Sequence, residues 1–130
     1  MKRMQPYFRH LALGLMAIFL PSIGFAWDRL GETEEVVLYL HRPSIAKEGN
    51  VQRVWEMQDL KKADKDGVMS RRYVNEYECK ERMHRIGRVT SYAGPKLSGK
   101  KVFEVEEFGY WRKVPPDGLF AVVFIWLCVK

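Results

Sequence analysis

From Glu34 the chain runs as short stretches of alternating apolar and polar side chains, the period of β-strands, until Leu119, where an unbroken apolar run begins. Glu34–Arg42, EEVVLYLHR, predicts a strand that ends in a turn at Pro43-Ser44 and Gly49-Asn50. Val51–Leu60, VQRVWEMQDL, predicts a second strand with Val51, Trp55 and Met57 on its inward parity. The stretch from Lys61 to Ser70 alternates Lys with Asp and predicts a solvated hairpin loop turning at Gly67. Beyond it, Tyr73, Tyr77, Cys79 and Met83 fall on an inward phase, and Arg72, Glu76, Glu78, Lys80 and Arg82 on an outward one. The phase slips at Ile86 and returns at Val89, which predicts a β-bulge near His84 to Gly87. Gly94-Pro95 and Ser98-Gly99 mark a long turn, and Lys100–Glu106 then puts Phe103 and Val105 on one face. The pattern therefore predicts about five strands joined by short loops. Leu119–Val129, LFAVVFIWLCV, stays open between two elements: Val122, Val123 and Ile125 favour a strand, whereas Asp117 in the preceding PPDG is a helix N-cap candidate.

Residues 1–26 carry a different pattern: a basic head with Lys2, Arg3 and Arg9, an apolar run from Leu11 to Leu20, and then Pro21 to Ala26. The apolar run is about half of the roughly 20 residues that a helix needs to cross a bilayer. This is the layout of a secretory signal peptide, with small Gly24 and Ala26 before a cut between Ala26 and Trp27. The expected mature domain is residues 27–130, periplasmic or secreted, with no stable membrane anchor after cleavage. Export places the two cysteines in an oxidising compartment, where Cys79 and Cys128 most simply form one disulfide.

Composition adds less than it first promises. The chain of 130 residues has 22 Lys and Arg against 16 Asp and Glu, a formal charge of +6, which invites a polyanion-binding reading. Three of those cations lie in the leader, so residues 27–130 carry only +3. The remaining excess concentrates in Arg71, Arg72, Lys80, Arg82, Arg85 and Arg88, a stripe that could meet an acidic protein or polyanionic ligand. The plainer reading is a mixed-charge solvated face, with Glu76, Glu78 and Glu81 as cross-strand partners. Export disfavours nucleic acid as a partner. An apolar content of 47% argues for a folded chain. Two cysteines and scattered histidines do not make a metal site, and no cofactor is expected. His41 and His84 lie on separate predicted strands without a nucleophile beside them, so no catalytic residue is assigned.

Several strings together resemble the bacterial surface-adhesin protein E family: GNVQRVWEMQDLK, EYECKER, SYAGPKLSGKKVFE, and Tyr110-Trp111 followed by KVPPDG, with a cysteine near the end. The resemblance spans nearly all of residues 27–130. It implies an α+β fold, an antiparallel sheet of about five to six strands with a C-terminal helix packed on it and tethered by the disulfide. That implication turns Leu119–Val129 toward helix. The family's namesake is an adhesin for host matrix proteins and plasminogen, held to the outer membrane by a lipidated cysteine. This chain has no cysteine at the end of its apolar leader, which predicts a soluble product. The function implied is that of a non-enzymatic binding protein. The alternative is an envelope-associated structural subunit, or a homodimer, acting through the apolar C-terminal segment.

Overall fold

The computed structural model describes residues 27–129; the leader and its cleavage site before Trp27 therefore fall outside or at the edge of the described residues. Seven strands form one antiparallel sheet: β1 (Trp27–Glu32), β2 (Val36–Glu48), β3 (Val51–Leu60), β4 (Ser70–Glu78), β5 (Met83–Tyr92), β6 (Lys101–Val105) and β7 (Arg112–Lys113). The order is sequential from β1 to β6, and β7 pairs with the free end of β5. A 3-10 turn, Pro95–Leu97, links β5 to β6, and among the described residues one α-helix, α1 (Leu119–Cys128), follows the strands. The α+β fold with its C-terminal helix is present as expected. The sequence pattern did not mark β1 or β7, both of which sit at sheet edges and have no buried residue to set a period.

α1 covers one face of the sheet. Leu38 and Leu40 of β2, Val54 of β3 and Tyr77 of β4 meet Val123, Phe124 and Leu127 of α1 and Val114 in a single buried cluster. Left uncovered, those sheet residues would face water, and burying an aliphatic or aromatic side chain stabilises by about 1.5–3 kcal/mol. As a helix the last apolar run satisfies its own backbone and supplies that cover, which outweighs the strand preference of its valines. The N-cap is Gly118 (φ 98°), not Asp117, and it offers no side-chain cap. At the other end the Gln52 side-chain amide donates to the Leu127 carbonyl at 3.1 Å. The Cys79–Cys128 disulfide joins the residue after β4 to the last residue of α1.

Four local expectations are corrected. Pro43-Ser44 is not a turn: β2 passes through it, and its register against β3 shifts between His41 and Ala46. Ser44 Oγ fills the interrupted ladder, donating to the His41 carbonyl at 2.6 Å and accepting from the Trp55 N–H at 3.0 Å, so Pro43 sits where no ladder N–H is required. On β3 the parity facing α1 is that of Val54 and Glu56, while Trp55 and Met57 face the other side. Apolar residues occupy both faces there, so alternation alone misassigns the inward one. The bulge in β5 lies just past the expected site: Arg72 is opposite Thr90 but Val74 is opposite Gly87, and Arg88 takes a φ of 55°. In the loop from Lys61, Val68 is fully buried rather than solvated, held by its N–H to Asp64 Oδ1 at 3.0 Å.

Candidate functional site

The face of the sheet turned away from α1 is covered only in part: the 3-10 turn Pro95–Leu97 sits beside Tyr39 and Met57, with Met57, Val74 and Thr90 buried, while Trp27, His41 and Trp55 stay partly exposed. Cross-strand pairing aligns Trp27 of β1 with His41 of β2, and His41 with Trp55 of β3. A second row aligns Arg29, Tyr39, Met57, Arg72 and Thr90. A third aligns Arg53, Glu76 and Arg85. Directly opposed residues share a face, so these rows build an aromatic and cationic surface across five strands.

Its geometry is specific. The Trp27 and His41 rings lie 5.3 Å apart. The guanidinium groups of Arg72 and Arg88 sit over the Trp55 ring at 5.2 and 5.6 Å. Trp27, His41, Trp55 and Arg72 line a shallow cavity of about 290 Å³. Trp27 also borders a neighbouring cavity of about 500 Å³, shared with Tyr39, Met57 and Lys96. His41 Nδ1 is buried without a hydrogen-bond partner, which leaves Nε2 as the imidazole nitrogen available from outside.

Charge on this face is unevenly neutralised. Glu76 is buried and holds two arginines, Arg53 at 3.1 Å and Arg85 at 2.7 Å. Arg88 pairs with Glu106 at 3.1 Å. Arg72 has no carboxylate within pairing distance among the described residues, and neither has Lys96 at the edge of the face, so the Arg72 guanidinium beside Trp55 is left uncompensated.

The loop after β6 extends the surface. Phe108 lies directly over Gly87, where an added Cβ would stand 2.4 Å from its ring. Arg85 stacks on Phe108 at 5.2 Å and on Trp111 at 4.6 Å. Gly87 is thus a close-approach glycine. Gly87→Val is expected to expel Phe108 and destabilise by on the order of 2 kcal/mol, with β-sheet circular dichroism kept. An unchanged denaturation midpoint would show that Phe108 does not pack there.

The six cations singled out in the sequence divide. Arg72, Arg85 and Arg88 come together on this outer face. Arg71 points to the other side, bonded to Gln58 and Asp64. Lys80 and Arg82 lie in the β4–β5 turn, with Arg82 over the Phe124 ring of α1 at 4.8 Å. They are not one stripe, because Arg82 (φ 57°) leaves the strand alternation on which the expectation rested. Sequence reasoning missed Trp27, Tyr39 and His41. Their common signal, membership of the Trp55 and Met57 parity, becomes visible only once the β2 bulge fixes which residue meets Trp55.

The covered face carries a buried polar network. Glu56 is fully buried, accepting from Tyr77 Oη at 2.6 Å and from Asn75 Nδ2 at 3.2 Å. Burial pushes its carboxyl up to about 7, against those hydrogen bonds. Burial and the nearby Glu56 hold the Tyr77 phenol well above its ordinary value.

These features define a disulfide-closed α+β domain with one sheet face packed under the helix and the other partly open. The chain belongs to the surface-adhesin protein E family, whose profile matches residues 27–129. It is also similar in fold to solved structures of Haemophilus influenzae protein E. Crystal form II of that protein is 14% identical, with 82% of this chain and 90% of that chain covered and a TM-score of 0.61. For protein E from a non-typeable strain the values are 14%, 83% and 79%, and 0.55. No curated protein matches significantly.

Proposed function

We propose that this chain is an exported, non-enzymatic binding protein that engages a protein ligand, of the host-matrix type or with an acidic segment, through the outer face of its sheet. The observation that carries the reading is the convergence of Trp27, Trp55 and an unpaired Arg72 at one uncovered cavity. Trp and Arg are the residue types on which protein interfaces concentrate their affinity, and a cation without an internal partner loses little when it meets an acid.

The test is binding to a panel of immobilised matrix proteins. Trp55→Ala and Arg72→Ser should each weaken binding on the order of tenfold or more, while Lys80→Ser should change it little. Equal loss from Lys80→Ser would point to diffuse charge attraction, and no loss from the first two would move the contact elsewhere.

A second reading has its own observation. Val122, Ile125 and Trp126 are exposed on α1, and Val129 just past its end, although Phe124 is buried in the core. An envelope subunit or homodimer would use that strip. Self-association abolished by Ile125→Ser with binding intact would separate the two readings. Cleavage before Trp27 belongs to the same proposal: the exported protein should begin at Trp27 on N-terminal sequencing, and a Met1 start in a membrane fraction would overturn it.

A further inference from the structure

On the covered side, between β5, β7 and the first turn of α1, lies a cavity of about 260 Å³ that the outer-face reading does not use. Its lining joins His84, Ile86, Tyr110, Arg112, Pro115 and Phe120. His84 is only 3% exposed, so a titratable side chain forms the floor. Its orientation is set from behind. Asn75 Nδ2 donates to Glu56 Oε1 and to Tyr77 Oη (2.9 Å), which leaves Asn75 Oδ1 to accept from His84 Nδ1–H at 3.1 Å. The imidazole also stacks on Tyr77, with centroids 5.7 Å apart and planes 17° apart, and meets Phe120 at 4.9 Å. Nδ1 is therefore the protonated nitrogen, and Nε2 is left without a partner among the described residues at the cavity. Such fixing of one ring nitrogen by a hydrogen-bonded group behind it is how proteins aim the other. Arg112, cross-strand partner of His84, lines the same cavity and has no carboxylate partner among the described residues.

We propose that this cavity binds a small organic anion, a carboxylate on a compact apolar body, held by the Arg112 guanidinium and His84 Nε2. Ile86, Pro115 and Phe120 supply the wall for the apolar body. The volume suits a ligand at the small end of the pocket range. Arg85 also borders the cavity, but its guanidinium is committed to Glu76 on the outer face, so Arg112 is the cation available. Tyr110, 89% exposed, stands at the rim as a side chain that a ligand can order.

Binding is coupled to one proton. Burial first, and Arg112 second, hold the empty site's His84 below its ordinary value, so Nε2 carries a lone pair near neutral pH. A carboxylate arriving there faces that lone pair until the imidazole takes a proton from solvent and Nε2–H donates. The anion thus raises the imidazole's affinity for a proton, and affinity for the anion strengthens as pH falls through its titration. The groups facing His84 are Arg112 of β7, Arg85 beside it on β5, Tyr77 of β4 and, through Asn75, Glu56 of β3; α1 contributes the uncharged Phe120.

The experiment is an NMR titration of the folded domain with sodium benzoate, using benzamide as the neutral isostere and inorganic phosphate as the anion without an apolar body. Benzoate should shift the His84 imidazole and the Phe120 amide saturably, bind more tightly at lower pH, and exceed both controls. Arg112→Gln, on an exposed position, should weaken it at least about tenfold without changing the fold. His84→Gln should remove the pH dependence. Benzamide matching benzoate, phosphate matching benzoate, an unaffected Arg112→Gln, or shifts centred on Trp55 instead of His84 would each overturn the proposal.

Discussion

Cys79→Ala is expected to destabilise the domain by on the order of 4 kcal/mol in oxidising buffer and by little in reducing buffer. The bond closes a loop spanning 49 positions, so its removal returns that closure entropy to the unfolded chain. The stakes are high because small domains have only about 5–15 kcal/mol in total. The loss falls where the fold is least redundant. α1 has no side-chain N-cap, and three of its residues, Val123, Phe124 and Leu127, supply the buried contacts that cover the sheet. Without the tether, α1 is expected to fray first, exposing Leu38, Leu40 and Val54. Chemical denaturation of both proteins in both buffers measures the effect. An equal loss in both would assign Cys79 a packing role instead.

The second large effect is a fall in stability with rising pH, set by Glu56. Its carboxyl moves from an ordinary 4.5 to about 7 on folding, because burial disfavours the charge more than Tyr77 and Asn75 compensate it. Between those values the folded chain binds more proton than the unfolded one, so this contribution is fully present below about pH 4.5 and declines up to about pH 7. The difference corresponds to on the order of 3 kcal/mol. His84 works in the opposite direction, since burial and Arg112 hold it low. Comparison with a variant isolates Glu56. Glu56→Gln keeps the shape and removes the titration, so relative to it the native chain should lose on the order of 3 kcal/mol from about pH 5 to about pH 8. Parallel profiles for the two proteins would show that Glu56 remains ionised in the fold, carried by its hydrogen bonds.

The strand pattern was legible where apolar side chains mark the face toward α1. β4 is read correctly on the side of Tyr73 and Tyr77, although Val74 and Glu76 on its other side are buried too, and the turn at Gly49-Asn50 joins β2 to β3 where it was expected. β3 is not, because Trp55 and Met57 are apolar on the open face and Glu56 is polar on the packed one. That inversion puts apolar and aromatic side chains on the face away from α1 and a carboxyl where packing would favour an aliphatic side chain. The Pro43-Ser44 segment hid the register, since a proline inside a strand reads as a stop until Ser44 Oγ is seen to stand in for the missing ladder bond. The cation count pointed to the right neighbourhood but not to a surface. Only three-dimensional pairing shows that Glu76 absorbs Arg53 and Arg85, that Arg82 lies against α1, and that Arg72 is left free beside Trp55.

The proposal that ligand meets the open sheet face can be checked by hydroxyl-radical footprinting of the domain with and without a bound matrix protein. Protection should concentrate on Trp27, Tyr39 and Trp55, with Trp126 on α1 as reactive as in the free protein. Protection of Trp126 and Ile125 with unchanged reactivity at Trp27 and Trp55 would contradict the claim and assign the contact to the helix.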